Sequence, residues 1–248
     1  YNDSQSQIVF VDTPGINKPI DKLGKVLNKQ SQSQQKEVDC ILLVVDAKSG
    51  LGRGDREIIK NLNADIPTIL VLNKIDKVSN EEILKKINEY NEIYPFDEIV
   101  PVSAYKKNNT KEIIKTIKKY LTDEIKYYDD NFITNKPITF MISEIVREKI
   151  FELTKDEVPH SLTCIVENME KDKNVYHINV AVIVDRDALK KIIIGKQGNM
   201  IKEIGIKSRK ELEELLGKKV YLETYVKTIK NWRDKEKYLQ EFGFNDFE

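Results

Sequence analysis

The sequence predicts two domains of different class, an α/β domain with a mostly parallel sheet followed by an α+β domain. Three observations predict this. The chain has 248 residues, which suits two separate cores better than one. Apolar runs alternate with helix-spaced segments over the first half, as in parallel sheets with covering helices. After a stretch without periodicity near residues 122–137 the element order changes.

In the first half, strands are expected at Ile8–Val11, Ile41–Val45, Thr68–Leu72 and Ile99–Val102, and helices around 23–37, 54–63, 80–93 and 110–121. Several of the strand runs are continuously apolar, the pattern of strands buried on both faces. Tyr127-Tyr128-Asp129-Asp130 and Asn135-Lys136-Pro137 then lack periodicity, and the proline disfavours helix before it. Domain bounds of 1–122 and 138–248 follow, with a linker over 123–137. In the second half the order is a helix near 139–154, a strand Ser161–Asn168, a polar turn Lys171–Asn174, a strand Val175–Val184, a pair of helices marked by glycines, a strand Lys219–Val226 and a charged final helix.

Charge is balanced at 41 basic and 41 acidic residues, so the total names no partner. Its distribution does: residues 1–130 sum to −1, whereas residues 186–233 hold thirteen Lys and Arg against six Asp and Glu. Cys40 and Cys164 are the only cysteines, far apart and within apolar runs, which argues for a reducing, cytoplasmic setting. The longest apolar stretch, Cys40–Val45, falls far short of the roughly 20 residues of a membrane span.

Ile8–Val11 leads into Asp12-Thr13-Pro14-Gly15. A carboxylate at the carboxyl end of a strand is placed to hold Mg²⁺ through water, and the Gly15 amide can approach a γ-phosphate. By itself this is also a strand followed by a turn. Thr68–Leu72 leads into Asn73-Lys74-Ile75-Asp76, at the end of a buried strand where open α/β sheets bind ligands. There Asp76 can accept two hydrogen bonds from the N1 and amino groups of guanine, Asn73 can tie base to sheet, and the Lys74 stem can lie across the ring. Helix capping is the bland reading of those residues. After the last strand, Ser103-Ala104 offers a backbone amide to the guanine oxygen. Three elements in this order, each after a strand, argue for the nucleotide.

These residues resemble the translation-factor-related GTPases. The resemblance implies a P-loop-type domain that uses GTP/GDP and Mg²⁺, with Asp12 at the metal, Asp12 and Gly15 toward the γ-phosphate, and Asn73, Lys74, Asp76, Ser103 and Ala104 around the base. It also makes Ile16–Leu23 the second switch. Ile16 stands where many such enzymes have a water-orienting Gln, so hydrolysis should be slow or rely on another group, and no catalytic side chain is nominated. No GxxxxGK[ST] occurs in the sequence. The expectation is that the first strand and phosphate loop precede Tyr1 and that the chain as it stands is inactive as a GTPase.

Gly195-Lys196-Gln197-Gly198 lies between apolar helical segments, with Lys190, Lys191, Lys202, Lys207, Arg209 and Lys210 nearby. A GxxG turn of this kind lets backbone approach a sugar-phosphate chain, beside a groove for about four unpaired bases. Together with Ser143–Lys149, Glu157-Val158-Pro159-His160-Ser161, DTPGINKP with Leu23-Gly24, and Asn231-Trp232-Arg233, the chain resembles the Era family along nearly its whole length. The resemblance implies a type II KH domain whose Gly195, Lys196, Gln197, Gly198 and Lys202 bind the 3′ end of 16S rRNA, and a role on the 30S ribosomal subunit. A monomer is expected, and any contact with the inner membrane is peripheral. An RNA-binding adaptor with a degenerate α/β domain is the alternative. His160 is read as structural, and Trp232 as packing more than base stacking.

Overall fold

The structure is a computed structural model that describes residues 1–13, 19, 21–34, 38–122, 125–130, 132–154 and 162–244. Two units are resolved, one over Tyr1–Phe132 and one that begins at Ile133.

The first unit opens with helix α1 (Lys22–Gln34) and then alternates β1 (Ile41–Asp46), α2 (Arg53–Lys60), β2 (Thr68–Asn73), α3 (Asn80–Asn91), β3 (Glu98–Pro101) and α4 (Thr110–Ile117). The three strands form a parallel sheet in the order β1-β2-β3, with Asp46 beside Asn73 and Leu72 beside Pro101. β2 is central, and its side chains divide by the two-residue period of a strand. Leu70 and Leu72 pack with Leu43, Val45, Ile59 and Tyr90, while Ile69 and Val71 pack on the opposite face with Ile8, Val100, Val102 and Ile117. Each such buried side chain contributes roughly 1.5–3 kcal/mol. A reciprocal cap starts α3: Ser79 Oγ accepts the Glu82 amide, and Glu82 returns a carboxylate to the Ser79 amide at 2.7 Å.

The expected strand at Ile8–Val11 does not form. Its backbone turns back on the preceding residues, with the Ile8 amide donating to the Tyr1 carbonyl at 2.8 Å, and the only ladder contact there is an isolated bridge of Asn2 with Gln7. Ile8 is buried, but Val9, Phe10 and Val11 are each about half exposed. An apolar run without a neighbouring strand cannot complete its hydrogen bonds as a sheet. The helix expected over 110–121 is α at Thr110–Ile117 and tightens to a 3₁₀ turn at Lys118–Tyr120.

The second unit runs α5 (Ile138–Leu153), β4 (Leu162–Asp172), β5 (Val175–Val184), α6 (Asp187–Ile194), α7 (Asn199–Leu216), β6 (Lys219–Thr228) and α8 (Glu236–Glu241). β4 and β5 are antiparallel, and β6 joins β5 in parallel. The hairpin is longer than expected: β4 continues to Asp172 past an irregularity between Val166 and Asn168, and the reversal falls at Lys173, with φ 41°. α5, α6 and α7 cover one face, where Ile142, Val146, Ile150, Ile178, Val180, Ile193, Ile204 and Leu212 make the core. Lys149 is pinned between helices, pairing with Glu211 at 2.7 Å and Glu152 at 3.1 Å. Trp232 is 1% exposed with its ring 5.6 Å from Phe242, so it packs and does not offer a stacking face.

Candidate nucleotide and RNA sites

The first site is built where β1, β2 and β3 end. After Asn73 the chain reverses through Lys74, which takes the left-handed φ 63° and ψ 34°, into a 3₁₀ turn at Ile75–Lys77. Few residues other than glycine adopt that conformation. The reversal brings Asp76 to Ser103, whose hydroxyl donates to Asp76 Oδ1 at 2.5 Å. Ser103 is fully buried and exchanges backbone hydrogen bonds with Asn108 at 3.1 and 2.9 Å. Asn109 secures the same loop by donating to the Pro101 carbonyl at 2.8 Å.

Asn73 Oδ1 accepts the Lys74 amide at 2.7 Å and the Ala104 amide at 3.1 Å, so one side chain ties the two loops together. The Ala104 amide expected to face a base oxygen is therefore committed to Asn73 here, and meets a base only by sharing or exchanging that bond. Asp76 is exposed, and the Ser103 hydroxyl is the main reason its carboxyl is held below the usual range. An ionised, exposed carboxylate is an acceptor for two parallel N–H donors. Asn73, Lys74, Asp76, Ser103 and Ala104 are thus brought together.

Asp46, which sequence reasoning passed over, belongs to this cluster. Its carboxylate takes the Lys74 ammonium at 2.7 Å and the Lys48 amide at 2.8 Å. The Lys74 hydrogen bond is the main cause that lowers its pKa. The signal was available: Asp46 ends the apolar run Ile41–Val45, the same strand-end placement that singled out Asp12. Asp12 is exposed and makes no contact with the base cluster among the described residues. Gly15 and Ile16 lie outside the described residues, as do Pro159, His160 and Ser161.

The second site is the turn between α6 and α7. Gly195 has φ 72° and ψ 178°, and Gln197 and Gly198 are left-handed at φ 54° and 77°. The two glycines are required for different reasons. A Cβ on Gly195 would lie 2.6 Å from Met200 Cβ and 3.0 Å from the Met200 amide nitrogen, whereas a Cβ on Gly198 would meet nothing within 4 Å. Gly195 lets the turn close on α7, and Gly198 leaves its outer side open. Lys196, Gln197 and Lys202 are exposed, and neither lysine forms an ion pair among the described residues. Ile192 and Ile206, on α6 and α7, stand about half exposed.

The sequence matches elongation factor Tu GTP binding domains over residues 1–123 and KH domains over residues 157–233. An Aquifex aeolicus Era variant bound to GDP.AlF4⁻ is 40% identical, with a TM-score of 0.89 over 98% of this chain and 83% of its own. This chain belongs to the Era family. A second Era structure, in complex with MgGDPNP and nucleotides 1506–1542 of 16S ribosomal RNA, is also 40% identical, with a TM-score of 0.87 over 94% of this chain and 80% of its own. The fold is accordingly the Era arrangement of a P-loop-type GTPase domain with a parallel sheet and a carboxyl-terminal KH domain. The base cluster lies in the GTPase part and the glycine turn in the KH part.

Proposed function

We propose that this protein is a GTP-binding, GTP-hydrolysing RNA-binding protein that binds the 3′ end of 16S rRNA and assists assembly of the 30S subunit, working in the cytoplasm as a monomer. Residues 1–122 are its GTPase domain, 123–137 its linker and 138–248 its KH domain. One observation carries the reading: a single chain holds both a polar cluster at the strand ends, in which Asp76 meets Ser103 and Asn73 meets Lys74, and an open glycine turn whose Lys196 and Lys202 form no ion pair among the described residues. Membership of the Era family, one solved member of which is in complex with MgGDPNP and nucleotides 1506–1542 of 16S ribosomal RNA, supports it. Among the described residues no helix is long and apolar enough to cross a membrane, and any contact with the inner membrane is proposed to be peripheral.

The residues present fit the base end of GTP. Asp76 takes the donor edge of guanine, Asn73 holds the two loops at a fixed spacing, Ser103 orients Asp76, and the Lys74 stem covers the ring. Asp12 is the carboxylate for Mg²⁺, which when bound would neutralise phosphate charge. Residues 1–248 contain no GxxxxGK[ST], so no step of hydrolysis is assigned to their side chains. On the RNA side, Gly198 admits the sugar-phosphate backbone, Lys196 and Lys202 neutralise phosphates, and Ile192 and Ile206 supply apolar surface beside the turn.

Replacing Lys196 and Gln197 together by Asp tests the reading. Both glycines stay, both altered side chains are exposed, and two carboxylates then face the phosphate path. Affinity for a 16S 3′-end oligonucleotide, read by fluorescence anisotropy at two salt concentrations, should fall at least about tenfold, which needs only about 1.4 kcal/mol. The melting temperature should hold. A variant that melts like the parent and binds equally well removes the turn from the RNA site.

A further inference from the structure

Lys74 is an unusual carrier for a group that must lie flat across a base. It leaves the backbone from a left-handed residue at a strand end, its side chain is 48% exposed, and a free lysine stem samples many rotamers. Ordering such a stem at the moment of binding would subtract from affinity. The structure supplies an anchor. Asp46 is set beside Asn73 by the β1–β2 register, its backbone continues into the Ala47 amide's bond to the Asn73 carbonyl at 2.8 Å, and its Oδ1 is fixed by the Lys48 amide. Its Oδ2 then holds the Lys74 ammonium at 2.7 Å. All these contacts lie within the first unit.

We propose that Asp46 is a positioning residue of the nucleotide site: it acts through Lys74 alone, holding that stem in its base-covering posture before the nucleotide arrives. The proposal rests on the reading of Asn73, Lys74 and Asp76 as a guanine site. Both oxygens of the Asp46 carboxylate are taken up by the Lys48 amide and the Lys74 ammonium. Asp46 therefore sets affinity for any purine nucleotide, whereas Asp76 sets the choice between guanine and xanthine.

Two measurements on the whole chain test it. In the ligand-free protein, NMR relaxation of the Lys74 ε-methylene should report an ordered group that becomes mobile in Asp46→Asn, a substitution that keeps side-chain size and removes the charge. A stem that stays ordered overturns the proposal. Titration with GDP followed by amide shifts should then show three- to tenfold weaker binding in Asp46→Asn, with xanthosine diphosphate weakened by the same factor. In a Lys74→Met background, which keeps an apolar stem without the ammonium, Asp46→Asn should change affinity by less than about 1.5-fold. An undiminished effect there means that Asp46 acts by another route and also overturns it. Asp76→Asn separates the two levels. A switch toward xanthosine diphosphate with no Lys74 coupling sinks the positioning role alone, while unchanged guanine preference sinks the guanine site and the positioning role with it.

Discussion

Alanine at Gly195 and alanine at Gly198 add the same methyl group to one short turn, yet the structure predicts different outcomes. At Gly195 the backbone lies at φ 72° and ψ 178°, a region essentially reserved for glycine, where another residue costs about 1–3 kcal/mol. The new Cβ would also press on Met200, at 2.6 Å from its Cβ and 3.0 Å from its backbone nitrogen, and overpacking of that kind adds about 1–3 kcal/mol. A backbone atom cannot rotate away, so Gly195→Ala should cost about 2–6 kcal/mol. At roughly 4–8 °C per kcal/mol for a domain of this size, the KH unit should melt about 10 °C or more below the parent. Gly198 at φ 77° carries only the left-handed cost of about 1–2 kcal/mol, since nothing stands within 4 Å of the added carbon. Its RNA affinity should nevertheless fall about tenfold or more, because that open space is where a sugar-phosphate chain must approach. Thermal melts followed by domain-specific NMR signals, with anisotropy on the same samples below both transitions, decide the matter. Equal melting of the two variants would refute the steric argument, and a Gly198→Ala variant with parental RNA affinity would refute the approach route.

Three further outcomes are expected. The 248-residue chain should bind GTP with a dissociation constant no tighter than about a millimolar, near −4 kcal/mol, because base contacts act without a phosphate cradle; tight Mg²⁺-dependent binding of a fluorescent GTP analogue would contradict this. Lys149→Met should lower KH stability by about 1–3 kcal/mol in a calorimetric or CD melt, since it leaves Glu148, Glu152 and Glu211 without their shared cation. The Glu211 hydrogen bond is the first cause of the raised Lys149 pKa, so the lysine's contribution persists through neutral pH and is lost as pH rises into strong alkali; a variant that melts like the parent would dismiss the cluster as surface decoration. Burial pushes the Cys40 thiol up to about 11, so its thiolate fraction at pH 8 is about one in a thousand. Alkylation by iodoacetamide should accelerate nearly tenfold per pH unit between 8 and 10, and rapid labelling at pH 7 would show that Cys40 is not held as described.

Much of this was legible where one segment contains both the signal and its cause. The run Thr68–Leu72 is apolar at every position but the first, and it became the strand buried on both faces. Asn73, Asp76 and Ser103 could be named because strand ends are where polar groups can gather. What stayed hidden depends on a second segment. Ile8–Val11 has strand composition, but a strand is defined by its neighbour, and the structure gives it none among the described residues. The Asp46–Lys74 pair spans 28 positions and exists only because β1 and β2 pair in one register. Lys149 enters the sequence only as the end of the segment Ser143–Lys149, and only the packing of α5 and α7 makes it a shared centre for carboxylates.

Backbone strain separates the two candidate sites from the rest of the chain more sharply than composition does. Among the described residues, six other than glycine have positive φ, namely Lys74, Lys107, Asn109, Lys173, Gln197 and Asn231, and the first three and Gln197 fall at the strand-end cluster and the glycine turn. Each such residue costs about 1–2 kcal/mol relative to ordinary backbone, so it persists only where its surroundings over-determine it. Those surroundings can be named. Lys74 follows a strand whose Ile69, Leu70 and Leu72 are wholly buried, and Gln197 sits between Ile193 and Ile204, both also wholly buried. The rigid core adjoining each turn offsets its strain, and the strain keeps Asp76 at Ser103 and Gly198 open to solvent. Local propensity is overridden at these turns, which is the pattern expected where a sequence gives up local consistency for a binding geometry.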